Sequence, residues 1–546
     1  MSEFAHTIME QKYSHTKVDG TKETWEEIAT RTVTHVLGAI GYGPTHSSVQ
    51  RLIELVNSRR FMPGGRYLYA SGRPLHQTQN CLLLRAEDSR EGWADLMHKN
   101  TMALMTGAGV GTVYSDIRAE GSPISRTGGL STGPIALMQM VNEAGRGIMQ
   151  GGSRRSALWA GLHWNHSDIF KFIRLKDWSS DVKAMKEKDY NFPATMDGTN
   201  ISVILDTQFF KAYEDKNHPL HAMANSVYRE TVRQMLSTAE PGFSVDAFEN
   251  EGENLRNACT EVSSYDDSDI CNLGSINMAE VNTVEEMKEV VELGTLFLLA
   301  GTLYSDLPYE KVGDIRKKNR RLGLGLMGLH EWLLKRGKSY APDSELATFL
   351  SEYTKSTEIA KLYSAGLNIS APVKTRAIAP TGTIGILAET TTGIEPIFCA
   401  AFKRRYLKGS VVNYQYVIDP TAKRLIDSGA VDADKIEDAY VLAENVERRV
   451  EFQAWMQQFV DHSISSTINL PHWGSELNNE SKVQEFGTML MRHLPKMRGV
   501  TVYPDSARGG QPLTPVKYST AIKHVGEVYV EQQDVCEITK GGSCGV

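Results

Sequence analysis

Two thiols set the chemistry open to this chain. Cys259 stands in Asn257-Ala258-Cys259-Thr260-Glu261, between a carboxamide and a carboxylate, and Cys271 follows after eleven intervening residues in Asp269-Ile270-Cys271-Asn272. A thiol so flanked can serve nucleophilic, redox or radical chemistry. Over so few residues a loop cysteine beside a glutamate looks the same, so the remaining cysteines have to decide. Six cysteines in 546 residues are no disulfide scaffold, and with neither a CxxC pair nor Cys/His zinc spacing no structural metal is expected. Cys536 and Cys544 lie on a Gly/Ser-rich end, and a dithiol on such an end suits the carriage of reducing equivalents. Cys81 falls in Gln79-Asn80-Cys81-Leu82-Leu83-Leu84, which predicts a short strand, and Cys399 reads as a core filler.

Three further stretches have residue types suited to anions or close backbone approach. Thr106–Val113 packs glycines ahead of a β-branched run and resembles a nucleotide-approach loop. Its order is glycines then strand, the reverse of a dinucleotide-binding fold, which is therefore rejected. Gln150–Ala157 combines Gly151 and Gly152 with Arg154 and Arg155, which suits either phosphate or a solvated turn. Pro380-Thr381-Gly382-Thr383-Ile384-Gly385 offers hydroxyls and glycine before an apolar segment, which fits a helix cap or an anion-holding turn.

These stretches need a scaffold. Helical periodicity over about residues 21–61 predicts two or three helices. Phe61–Arg66 breaks that pattern. A long Gly/Ser/Thr loop, residues 121–134, precedes a helix over 135–149, and a helical stretch follows Asn277 to about Tyr304. Arg320–His330 is apolar and punctuated by glycine, which predicts close backbone packing with His330 in a structural role. Residues 168–251 show mixed elements and no motif. The net charge of −7 argues against a general nucleic-acid binder. Neither a signal peptide nor a membrane span is visible, so a cytoplasmic enzyme is expected.

Taken together and in order, these motifs resemble a ribonucleotide reductase catalytic chain, nearest to the adenosylcobalamin-dependent class II. The resemblance runs from about Phe61 to the C-terminus. It takes in Asn80-Cys81, Gly109-Val110-Gly111, Thr127–Pro134, Gln150–Ala157, Asn257–Glu261, Cys271–Asn277, Arg320–His330, Pro380–Gly385, Ser465–Pro471, Thr501–Leu513 and the Cys tail. It implies an α/β fold: a ten-stranded α/β barrel of two antiparallel five-stranded halves, residues 61–515, with a central finger loop. A small helical region, 1–60, would precede it and a flexible redox tail, 516–546, would follow.

The implied roles are specific. Cys259 becomes the thiyl radical that takes the ribose 3′-hydrogen. Glu261 accepts the 3′-hydroxyl proton, Asn257 holds the sugar hydroxyls, and Cys81 with Cys271 reduces the 2′ position. Cys536 and Cys544 would re-reduce that pair, drawing on a thioredoxin-like donor. Gly109, Thr381, Gly382, Thr383 and Ile384 would hold the ribonucleotide. Thr127, Gly128, Gly129, Gly151, Gly152, Arg154 and Arg155 would couple a dNTP or ATP effector to substrate choice, in a homodimer. Adenosylcobalamin is the implied cofactor. The chain has no Tyr-Tyr pair of the oxygen-dependent class and no glycyl-radical motif. Two alternatives remain: an oxygen-dependent-type chain needing a metal-containing partner, and a non-catalytic nucleotide-binding paralogue. The chain departs from the family at Ala258 and Thr260, where proline and glycine usually flank the radical cysteine. No N-terminal ATP-cone region is evident, so no overall on/off control by ATP and dATP is expected.

Overall fold

The computed structural model describes residues 1–150, 154–189, 192–408, 411–505, 507, 513–525 and 527–529. Ten strands form one sheet: β1 Phe61–Pro63, β2 Cys81–Arg85, β3 Gly109–Val113, β4 Leu158–His163, β5 Thr199–Asp206, β6 Gly242–Asp246, β7 Asp269–Asn277, β8 Leu322–Met327, β9 Thr467–Leu470 and β10 Gly499–Pro504. Their order is β1-β7-β2-β3-β4-β5-β6-β10-β9, with β8 also paired to β7. Strands β2 to β6 run parallel to one another. The sheet reverses at both ends of that block, where β7 lies antiparallel to β2 and β10 antiparallel to β6. β7 is parallel to β8, and β9 to β10.

Side-chain alternation explains why both faces of the sheet are covered. In β2, Cys81 and Leu83 join an inner cluster, while Leu82 and Leu84 join the layer of helices outside. Parallel strands buried on both faces read as continuous apolar runs, as Cys81–Leu84 does. The inner cluster gathers Cys81, Leu83, Val113, Trp159, Ile204, Cys271 and Ala377 around Leu255 and Val262.

The predicted N-terminal helices occur at Trp25–Gly38 and Ser47–Asn57. Thr24 and Glu27 close a reciprocal cap on the first. A third helix, Glu3–Lys12, had no clear sequence signal, because it buries only Ala5 and Met9. Met9, Trp25 and Leu52 share one core with β8 and the helix Val284–Gly301. Among the described residues no helix is long and apolar enough to cross a membrane.

Candidate active site

A short hairpin enters the inner face of the sheet. Leu255–Arg256 pairs with Ser263–Ser264, so residues 257–262 form its tip. The Thr260 N–H donates to the Asn257 carbonyl at 3.0 Å. The Val262 N–H donates to the Asn257 side-chain oxygen at 3.0 Å. Thr260 takes a φ of +70°, a conformation that favours glycine. The departure from the family pattern therefore falls on a residue that keeps the left-handed turn in spite of its branched side chain.

The hairpin fits only because of glycine. A Cβ on Gly111 would collide with the Arg256 carbonyl and stand 2.9 Å from the Asn257 carbonyl carbon. A Cβ on Gly109 would stand 3.0 Å from that of Ala258. The glycine run that resembles a nucleotide-approach loop gives clearance to the hairpin, since backbone contact with a ligand or with another chain segment asks for the same residue.

Charge fixes the hairpin root. Glu253 is buried against Arg321 at 2.9 Å, and Arg321 also reaches Asp269 at 2.7 Å. Lys374 and Arg498 converge on the same Glu253. Burial raises the Glu253 carboxyl pKa, but these cations outweigh it and hold the value well below the usual range. Ser263 donates its N–H to His462 Nδ1 at 3.2 Å and its hydroxyl to Glu253 at 3.0 Å. Arg256 is fully buried and donates to the Leu255 and Val245 carbonyls at 3.0 Å each. Of these anchors only Asp269 and Arg321 lay in stretches singled out in the sequence.

At the tip the chemistry-bearing groups meet. Cys81 and Cys271 are directly opposite each other in the β2–β7 ladder. Such partners lie about 4.5–5.5 Å apart at Cα, within the span of a disulfide. Both thiols are reduced and buried. Burial, then the Glu261 carboxyl, pushes the Cys81 thiol well up; burial and then Asp269 do so for Cys271. Both stay protonated at neutral pH.

The Cys81 thiol donates to Glu261 Oε1 at 3.8 Å, and the Asn257 amide donates to the same oxygen at 2.9 Å. The other oxygen, Oε2, is buried with no protein partner. Burial pushes the Glu261 carboxyl up from 4.5 to about 7. A carboxyl poised near neutrality, with one oxygen held and the other unmatched, is equipped to exchange a proton with a bound molecule.

Cys259 is half-buried and borders two cavities. One, of about 730 Å³, is walled by Trp178, Lys183, Lys186, Asn200 and Ala507. The other, of about 260 Å³, is walled by Trp159, Pro380, Ser465 and Tyr503. Trp178, Lys183 and Lys186 come from the stretch that showed no motif.

The other predicted residues are spread more widely. Thr381 has a φ of +52° and starts the helix Gly382–Ala388. Its hydroxyl accepts from the Gly393 N–H at 2.8 Å. Thr127, Gly128 and Gly129 are exposed in the loop before the helix Gly133–Arg146. Arg154–Arg155 forms a two-residue strand with Met149–Gln150, but the side chains of Arg154 and Arg155 lie outside the described residues, as do Gly151, Gly152, Cys536 and Cys544. His330 is buried and accepts the Ile397 N–H at 2.8 Å, a structural role as expected.

Comparison with known proteins supplies a context for this geometry. The family described as ribonucleotide reductase, barrel domain, matches residues 79–240, 221–365 and 373–496. A vitamin B12-dependent ribonucleoside-diphosphate reductase of Thermoplasma acidophilum is 26% identical, over 93% of this chain and 71% of that protein. One of the same name from Mycobacterium tuberculosis is 26% identical over 93% and 80%. A Mycobacterium phage D29 protein, named as a candidate adenosylcobalamin-dependent ribonucleoside-triphosphate reductase, is 24% identical over 95% and 96%.

Proposed function

This chain belongs to the ribonucleotide reductase barrel family, and on that premise we propose that it reduces ribonucleoside di- or triphosphates to 2′-deoxyribonucleotides, with Cys259 as the hydrogen-abstracting sulfur. The observation that carries the reading is the meeting of Cys81, Cys271 and Glu261 beneath the hairpin tip. Adenosylcobalamin is the cofactor, in line with the names of the relatives. The residues present fit it: Cys259 opens onto a cavity of about 730 Å³, within the size range of small-molecule sites, where Trp178, Asn200 and Ala507 would hold its nucleoside end. When bound, it supplies by cobalt–carbon homolysis the radical that takes the Cys259 hydrogen atom.

The chain's own groups then act in sequence. The Cys259 thiyl removes the 3′-hydrogen of the ribose. Glu261 Oε2 takes the 3′-hydroxyl proton while the Asn257 amide holds Oε1 in place. The 2′-hydroxyl leaves as water with a proton from one thiol of the Cys81–Cys271 pair, the second thiol hydrogen goes to the 2′ carbon as the pair becomes a disulfide, and Glu261 returns its proton to the 3′ oxygen. Cys259 then returns its hydrogen to the 3′ carbon. Cys536 and Cys544, with a thioredoxin-like donor, would restore the dithiol.

We assign the substrate phosphates to Thr381–Ile384, with Gly109 as a further substrate contact. The first-turn amides of residues 382–384 have no intrahelical acceptor, and the space beside Gly382 is open. The loops at Thr127–Gly129 and Gly151–Arg155 are assigned to a dNTP or ATP effector. Met102, Met105, Leu130 and Met140 are exposed on and beside the adjacent helices Arg90–Met105 and Gly133–Arg146, which suits a homodimer. The sheet is read as a closed barrel of two five-stranded halves within residues 61–515, between a helical region at 1–60 and the tail at 516–546. Single bridges support closure, Leu324 to Arg376 and Ile378 to Ile464, leading from β8 toward β9. A cytoplasmic location follows from this metabolism.

The test is deoxyribonucleotide formation with adenosylcobalamin as the only radical source. Turnover that appears only after adding a metal-containing subunit would reject the proposal. Cys259→Ser should abolish turnover and leave nucleotide binding intact.

A further inference from the structure

Helix Gly382–Ala388 is held in an unusual way. Both flanking residues carry side chains in left-handed conformations, Thr381 at φ +52° and Glu389 at φ +56°. Such residues persist only where their surroundings over-determine them. At Thr381 the constraint is the Gly393 N–H. At Glu389 it is denser and comes from distant sequence. Glu389 Oε1 accepts the Ser2 N–H at 2.6 Å, and Oε2 accepts from Arg59 Nη1 at 3.0 Å. The Glu389 carbonyl accepts from Arg424 Nη2 at 3.0 Å. Ser2 is the cap of helix Glu3–Lys12, whose Met9 shares a core with Ile384, Leu387 and Ala388. One end of the helix thus borders open space at Gly382, while the other is fastened to the cap of helix Glu3–Lys12 and to Arg59, just past helix Ser47–Asn57.

We propose that Glu389 is a positioning residue for the polyphosphate end of the substrate: its carboxylate ties helix Glu3–Lys12 and Arg59 to the back of helix Gly382–Ala388 and so fixes the backbone of Thr381–Ile384. The proposal rests on the assignment of Thr381–Ile384 to the phosphates. Glu389 stands at the opposite end of a seven-residue helix, about 10 Å along its axis, so it acts through the backbone and touches no reacting atom. Burial raises its pKa, but the Ser2 N–H, the N-terminus and Arg59 outweigh that and keep it ionised at neutral pH.

The experiment is steady-state kinetics on the full chain with adenosylcobalamin and a reducing system, for Glu389→Ala, Glu389→Gln, Arg59→Ala and the Arg59→Ala/Glu389→Ala double variant. Thr383→Ala serves as a direct probe of the loop. Glu389→Ala should raise the nucleotide KM about tenfold with kcat within about twofold, since displaced backbone donors lose ground-state contacts. Glu389→Gln should fall between, and the double variant should be no worse than Glu389→Ala alone, the mark of two residues acting through one contact. Competitive inhibition by a deoxynucleoside without phosphates should be unchanged. If Thr383→Ala raises KM and Glu389→Ala does not, the positioning role is overturned and the phosphate loop stands. If neither raises it, the loop assignment fails and the positioning role with it. If Glu389→Ala lowers kcat together with its melting temperature and leaves KM alone, Glu389 is merely structural and the proposal is overturned.

Discussion

Replacing Glu261 by glutamine should make the protein inactive and, above neutral pH, more stable. The side chain is fully buried, and its carboxyl titrates near 7 instead of 4.5. The folded state therefore binds a proton that the unfolded state has released. The resulting stability is complete below the unfolded value of 4.5 and is lost as pH rises through the folded value of about 7. A shift of that size corresponds to about 3 kcal/mol. Glutamine keeps the shape and the acceptor for Asn257, places an amide at the unmatched Oε2 position, and does not titrate. The stability gap between variant and wild type should thus widen in favour of the variant by about 2–3 kcal/mol between about pH 5 and pH 8. Urea denaturation of both proteins at several pH values measures the gap, and infrared difference spectra should lose one protonated-carboxyl band in the variant. Turnover should fall by about 10²–10⁴-fold, as for loss of a general base. The wild-type kcat should rise with pH through about 7, where Glu261 ionises. A gap that stays constant with pH would refute the assignment of the raised pKa, and a variant that keeps its turnover would refute the proton-accepting role.

Other outcomes follow from the same geometry. Gly111→Ala drives a methyl into the Arg256 carbonyl and should lower turnover at least about hundredfold, with faster hydrogen exchange over residues 255–264; normal turnover would contradict the fit of the hairpin. Thr260→Gly removes a left-handed branched residue worth about 1–2 kcal/mol of strain at an entropic cost of about 0.5–1 kcal/mol. Its melting temperature should therefore hold or rise slightly, and a marked fall would show the turn to be unstrained. A turnover without external reductant should remove two alkylatable thiols from the wild type. Cys81→Ser should lose none, and an unchanged count in the wild type would exclude the Cys81–Cys271 pair as the electron source.

What could be read in the sequence depended on how local each signal was. Cys259, Glu261 and Asn257 stand within five residues, so the stretch was legible as a candidate site, and the fold brings Asn257 and Glu261 together beside Cys81. Cys81 was assigned through resemblance, and the ladder places it opposite Cys271. The glycines at 109 and 111 were ambiguous, because an absent side chain marks close approach without saying what approaches; here the hairpin does. Glu253, Lys374, His462 and Arg498 were invisible as a group. Scattered over some 245 positions, each looks like an ordinary polar residue until the fold collects them. Helix Glu3–Lys12 was missed because two buried side chains make too weak a stripe to show periodicity. The strand order was likewise beyond reach, since its turning points, β7 on β2 and β10 on β6, are long-range pairings.

The spread of the hairpin's supports bears on synthesis at the ribosome. Clearance comes from Gly111, while the ionic grip on Glu253 needs Arg321, Lys374 and finally Arg498. Contacts so distant along the chain form late. Nearly the whole polypeptide must emerge before the hairpin can be seated, so a nascent or truncated copy has no settled position for Cys259.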